Sequence, residues 1–234
     1  MQRNHRRSLL AIVCVVVALA VVSAGCGVVR PVRGRRTEAV HTGFLGDYAQ
    51  LQEREGYRAQ EVYVNPATDW SKYHAFHIDS VTLWVNAGTK LSDEDQQMLT
   101  DMLYKSLNDK LGERFEIVDE PAAGVIRLRF ALTEAKGANV PMNAITTIIP
   151  QARLLSTVVG LGTDTAALVG SASVEGEAQD SITAERLGAV VDSRAGTKGV
   201  TRAFSKWADV QAICDYWAER VTDFFVRQGV RGKA

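Results

Sequence analysis

Leu99, Leu103, Leu107 and Leu111 recur every four residues, and no other feature limits the fold of this chain so strongly. Positions four apart share a side only in an α-helix, so the stretch is a helix with one apolar stripe, bordered by Met98 and Met102. Ser92 stands as the cap, Asp95 as the third helical residue able to reach back, and Asp93, Glu94 and Asp95 give the acidic first turn that suits the helix dipole. Gly112 marks the end. A stripe of this kind needs an apolar surface to lie on.

That surface comes from segments alternating with period two. Residues 74–86 form a first strand on Phe76, Ile78, Val81, Leu83 and Val85, with a phase slip near Asp79-Ser80 that predicts a bulge or bend. Phe115-Glu116-Ile117-Val118 is a short second strand, closed by Pro121. Residues 124–134 form a third, with Ile126, Leu128, Phe130 and Leu132 on one side and Arg127, Arg129 and Thr133 on the other. Ser171 to Glu177 sets Ala172 and Val174 against Ser173, Glu175 and Glu177, and Leu187, Ala189 and Val191 mark the last strand. Arg127 and Arg129 are expected to face Glu175 and Glu177 across an antiparallel pair, as a solvated charged face.

A second long helix, capped by Ser205, carries Trp207, Val210, Ile213, Cys214, Trp217, Val221, Phe224 and Phe225 at spacings of three and four. The stripe is core, and Cys214 belongs to it as a small apolar residue. The prediction is an α+β domain of two layers, a mixed β-sheet of about five strands with two helices packed on one face. Its order is β-α-β-β-insertion-β-β-α.

The N-terminus supplies an address. Arg3, Arg6 and Arg7 precede an apolar run from Leu9 to Val22, then Ser23-Ala24-Gly25 and Cys26. The run is short for a spanning helix, which needs about 20 residues, and the pattern is that of a bacterial export signal ending in a lipobox-like sequence. Residues 1–25 are therefore read as signal peptide and Cys26 as the site of lipidation, whose acyl chains tie the protein to the membrane. An uncleaved anchor stays open, since the apolar run reaches Val29 when the small residues are counted, and Ser23 stands where leucine is usual. Gly27 carries no aspartate-type retention signal, so the expected place is the outer membrane, facing the periplasm. Residues 26–42, with Arg30, Arg33, Arg35 and Arg36, read as a basic tether, and residues 43–234 as one domain.

Charge and cysteine content narrow the function. Without Arg3, Arg6 and Arg7 the 27 basic residues fall to 24, against 27 acidic ones. Such a balance argues against nucleic acid as a partner. With Cys14 removed and Cys26 acylated, only Cys214 is left, so no internal disulfide forms and packing alone supplies stability.

Gly43-Phe44-Leu45-Gly46-Asp47-Tyr48-Ala49-Gln50-Leu51 follows the tether, then Tyr63-Val64-Asn65-Pro66 and Phe76-His77-Ile78-Asp79-Ser80-Val81. Gly-Phe-Leu-x-Asp-Tyr-x-x-Leu soon after a lipobox, with these later stretches, resembles the bacterial lipoproteins grouped as domain of unknown function 3313. The resemblance implies an envelope lipoprotein of no established activity and carries over no catalytic residue. From the residues themselves, Phe44, Tyr48, Tyr63 and Trp70 are expected to pin an irregular arm onto the domain by burying aromatic area, with ligand stacking as the sharper alternative.

Residues 138–168 form an insertion poor in charge, with Arg153 and Asp164 as its ionised residues. It is long for a connection within a domain. Ile145, Ile148, Ile149, Leu154, Leu155, Val158 and Val159 are its candidate interaction surface; covering one face of the sheet is the alternative. Gly160 to Asp164 lacks the spacing and Lys-Ser/Thr end of a phosphate loop. His74 and His77 lie three apart on a strand and offer no metal-ligand spacing, and no nucleophile elbow or zinc-protease helix occurs. No catalytic residue, metal or cofactor is expected. The expectation is a non-catalytic, lipid-anchored periplasmic interaction or assembly factor, held to the membrane through acylated Cys26 and meeting an envelope protein; the alternative is a binding module for a lipid or other hydrophobic small molecule. Oligomeric state is left open.

Overall fold

The computed structural model describes residues 39, 41–84, 91–133, 145–146, 171–195 and 207–233. Its elements run β1 (Glu61–Val64), a 3-10 turn (Trp70–Lys72), β2 (Ala75–Ile78), β3 (Thr82–Trp84), α1 (Asp93–Gly112), β4 (Glu116–Ile117), β5 (Val125–Thr133), β6 (Ile145–Thr146), β7 (Ser171–Asp180), β8 (Arg186–Ala195) and α2 (Ala208–Gln228). The strands form one sheet in the order β1-β8-β7-β5-β2-β4, with β3 beside β5 and β6 beside β3. β2 runs parallel to β4 and β5, and β3 parallel to β5, while the β1–β8, β5–β7, β7–β8 and β3–β6 pairs are antiparallel. This is the mixed sheet of an α+β fold.

The five expected strands are all present, the first in two parts. Ile78 stands opposite Leu128 and Thr82 opposite Ala131, so β2–β3 carries one residue more than β5 between these pairs. That bulge falls at Asp79-Ser80-Val81, where the alternation slips phase. Two strands are additional. β1 arises because Val62 and Val64 point to the core while Glu61 and Tyr63 point away, a stretch too short for its period to stand out. β6 is a two-residue pairing of Ile145 with Trp84 and Thr146 with Leu83.

Both helices lie on one face. Leu99, Leu103, Leu107 and Leu111 of α1 join Val210, Cys214, Trp217 and Phe225 of α2 and Phe76, Ile126, Leu128 and Phe130 of the sheet in one buried cluster. Ser92 caps α1 as expected, its hydroxyl accepting from the Asp95 N–H at 3.1 Å. Ser106 of α1 donates to Asp215 of α2 at 2.7 Å, and Gln211 donates to both, a polar tie between the helices. Burial pushes the Cys214 thiol up to about 12, so it stays a neutral core group. α2 begins at Ala208, with Trp207 in the cap position and no side-chain cap bond; Ser205 lies outside the described residues.

The opposite face is covered as well. Leu45, Ala189 and Val191 form a second buried cluster flanked by Phe44, Tyr48, Leu51 and Tyr63. The segment 41–52 is therefore an arm laid across the face that carries Glu175 and Glu177. Trp70 does not belong with it: its ring meets Phe224 edge-on at 5.6 Å, against the end of α2. The four aromatic residues thus divide between the two faces.

Candidate ligand cleft and the clamp behind it

The charged face of the sheet departs from the sequence expectation. Arg129 and Glu177 pair across β5 and β7 at 2.8 Å, but Arg127 turns to Asp79 at the β2–β3 bulge, with Nη2 to Oδ2 at 2.7 Å. Ala131, not an arginine, stands opposite Glu175. The face is also not solvated, since Glu175 is 0 % exposed and Glu177 4 %. The arm and its polar groups replace water there. Glu175 accepts from the Thr42 N–H at 2.7 Å and from the Tyr48 hydroxyl at 2.5 Å, and Tyr48 in turn accepts from the N–H groups of Gly43 and Leu45. Arg186 donates to Glu177 at 2.5 Å and to the carbonyls of Leu45 and Asp47.

The Gly-Phe-Leu-x-Asp-Tyr motif is thus a clamp. The Gly46 N–H bonds the Gly43 carbonyl, and both glycines sit at positive φ, 99° and 73°, where a side chain is strained. Phe44 meets Trp84 edge-on and lies beneath the Arg129 guanidinium. Burial, then the bond to Glu175, raises the Tyr48 hydroxyl to about 12.

On the helix-facing side, between α2 and the sheet, lies a cleft of about 140 Å³. Residue size creates it. β5 offers Leu128 and Phe130 there, whereas β7 and β8 offer Gly176, Ala178 and Gly188, too small to meet the helix. A Cβ at Gly176 would lie 2.3 Å from Phe130 Cε1, so glycine is what lets the phenyl ring lie across the neighbouring strand. Trp217, Val221, Phe224 and Phe225 of α2 form the opposite wall, and Tyr57, Ala59 and Val62 close one side.

The polar lining is one-sided in charge. Arg58, Arg220 and Arg227 reach the cleft, while the Glu177 side chain turns to the opposite face, where Arg129 and Arg186 take it, and Asp192 is matched by Arg194. Asp192 is 2 % exposed; its Oδ2 accepts from Trp217 Nε1 at 2.9 Å and Arg194 Nε at 2.7 Å, while Oδ1 is buried without a partner. Burial pushes the Asp192 carboxyl up, more than Arg194 and the Trp217 N–H pull it back. Arg194 also donates to the Arg58 carbonyl and the Tyr216 hydroxyl, and stacks on the Tyr216 ring at 4.5 Å. It ties the segment before β1 to α2, on either side of the cleft.

Among the sequence-derived site residues, Ile145 lies in β6 at the sheet's margin. Cys26, Ile148, Ile149, Leu154, Leu155, Val158 and Val159 lie outside the described residues. The described lining of the cleft comes from β1, β5, β7, β8, α2 and residues 56–59, with none from the insertion. Its signal in the sequence is slight: the small residues Gly176, Ala178 and Gly188 at positions where a helix-covered strand calls for large ones. Among the described residues no helix is long and apolar enough to cross a membrane.

A family model described as "Protein of unknown function (DUF3313)" matches residues 41–221. None of the curated proteins matches. Among solved structures, a PelC dodecamer from Paraburkholderia phytofirmans is similar at 10 % identity and TM-score 0.35, over 68 % of this chain and 95 % of that one. A DUF330-family protein from Xanthomonas campestris is similar at 9 % identity and TM-score 0.34, over 71 % and 90 %.

Proposed function

This chain belongs to the family of proteins of unknown function DUF3313, and we propose that it is a lipid-anchored, non-catalytic binding module of the bacterial envelope that holds an apolar group between α2 and the sheet. The observation that carries this reading is the cleft itself. Its floor is Gly176, Ala178 and Gly188 and its roof Trp217, Val221 and Phe224, an apolar recess in a fold otherwise filled with large side chains. The sequence supplies the rest: an export signal, a lipobox-like cysteine and no grouping of residues suited to nucleophilic or metal chemistry.

Native mass spectrometry of the full chain, released gently from membranes, tests the reading. Wild-type protein is expected to retain a small apolar molecule, and Ala178→Leu, which fills the recess, to lose it. No adduct, or the same adduct on both proteins, would refute it.

A second reading, an interaction or assembly factor, draws on one observation. Ile145–Thr146 pairs only with β3 among the described strands, which puts this part of the charge-poor insertion at the sheet's margin; on this reading its apolar residues are the surface offered to a partner. Deleting residues 147–165 should then abolish the role in cells and leave the melting temperature unchanged; a fall in melting temperature would make the insertion part of the core.

A further inference from the structure

Resting on the cleft reading above, we infer that the occupant is a single-chain amphiphile with an anionic head, of the fatty-acid class, its tail in the recess and its head on Arg58 and Arg227.

The recess sets the tail. A cavity of about 150 Å³ accommodates one benzene-sized group, and the cleft measures about 140 Å³, room for the end of one acyl chain and not for two. The part of the wall formed by Gly176, Ala178 and Gly188 below and Val221 and Phe224 above is apolar and receives the tail.

The rim sets the head. Of the three arginines that reach the cleft, Arg220 is already paired with Glu219 at 3.2 Å and Asp223 at 3.1 Å. Arg58 and Arg227 form no ion pair among the described residues, and both are exposed. Arg227 is oriented by its own Nε, which donates to the Asp223 carbonyl at 3.2 Å, and Arg58 is placed by Arg194, which holds its carbonyl. On the helix side Asp192 is held through Oδ2 by Arg194 and Trp217, and the Glu177 carboxylate lies on the other face with Arg129 and Arg186. An incoming anion therefore meets two guanidinium groups with no carboxylate competing for them, and a guanidinium binds a carboxylate head through paired N–H groups.

The test places the full chain in phosphatidylcholine nanodiscs with diazirine-bearing probes of one twelve-carbon tail and three heads: carboxylate, hydroxyl and trimethylammonium. After irradiation, labelled peptides are mapped by mass spectrometry. The carboxylate probe is expected to label residues 188–192 and 216–227 about tenfold more than the other two, the ratio that one charge-assisted contact supplies. Arg58→Ala with Arg227→Ala should bring it down to the hydroxyl probe. Ala178→Leu should remove labelling by all three, and Val190→Phe, at a half-buried lining position, serves if Ala178→Leu fails to melt cooperatively. Equal labelling by the three heads, lost in the filled variant, overturns the anionic head and leaves the cleft reading standing. Labelling that neither filled variant reduces, or no labelling at these peptides, overturns both.

Discussion

Glu175 has no contact with solvent, and its oxygens are taken by Thr42 and Tyr48, 133 and 127 residues away in sequence. Docking of the arm therefore depends on a few polar atoms. Tyr48→Phe keeps the ring and removes the hydroxyl, leaving a buried carboxylate with one donor, and should cost about 1.5–3 kcal/mol in urea denaturation. The same hydroxyl sets an alkaline limit. Its folded value of about 12 lies above the ordinary 10, so its contribution is complete below pH 10 and lost as pH rises toward 12. Wild-type should lose stability relative to Tyr48→Phe across that window. Asp192 is a harsher case, because Asp192→Ala leaves Trp217 Nε1 without its acceptor and a largely buried Arg194 without the carboxylate that balances its charge. A loss of about 3–5 kcal/mol is expected. Ala184 points the other way: it stands at φ 59° in the β7–β8 turn, so Ala184→Gly should stabilise by about 0.5–1 kcal/mol, read as a raised melting temperature. The charge pairs show what sequence can carry at this scale. Alternation places Arg127, Arg129, Glu175 and Glu177 on one face correctly, but partners depend on register, and register follows from the β2–β3 bulge that brings Asp79 to Arg127 and from an arm that arrives from far along the chain.

The elements with the strongest periods are the ones legible in the sequence. α1 has its stripe and its Ser92 cap, though its last residue, Gly112, is helical and Glu113 in right-handed conformation is the C-cap; Ser92→Ala should cost about 1 kcal/mol by urea denaturation, the value of one lost cap bond. The β2–β3 bulge was legible too, because one residue too many between Ile78 and Thr82 shifts the apolar positions out of phase. β1 was not, since four residues with two inward valines carry little period and owe their pairing to β8. The arm has no period at all. Its aromatics pointed to docking, but the face they dock on is fixed by Glu175 and Arg186, residues of two other strands. The cleft was hidden for a different reason: it is made by small residues, and the apolar pattern registers large ones. Gly176 and Ala178 become informative only once Phe130 is known to lie beside one and α2 above both.

At the scale of the molecule, the two faces of the sheet carry separate tasks. One holds the clamp that fastens the N-terminal arm; the other, under α2, holds the cleft. Fifteen residues lie between Cys26 and Thr42, and the sixteen Cα-to-Cα steps span at most about 55 Å fully extended. On the lipid-anchor reading, Thr42, which the clamp fixes to the sheet, stays within that reach of the membrane surface. Cys26→Ser should move the protein from the membrane fraction to the soluble fraction and abolish incorporation of labelled palmitate; retention of either would refute lipidation at this residue. The measurement that bears most directly on the central claim is photo-crosslinking in living cells, with a photoreactive side chain placed in turn at Val190 and Val221 in the cleft and at Ile149 and Leu155 in the insertion. The account predicts adducts of lipid mass from the cleft positions. Protein adducts from Ile149 and Leu155, with none of lipid mass from Val190 or Val221, would contradict it and make the insertion the working surface.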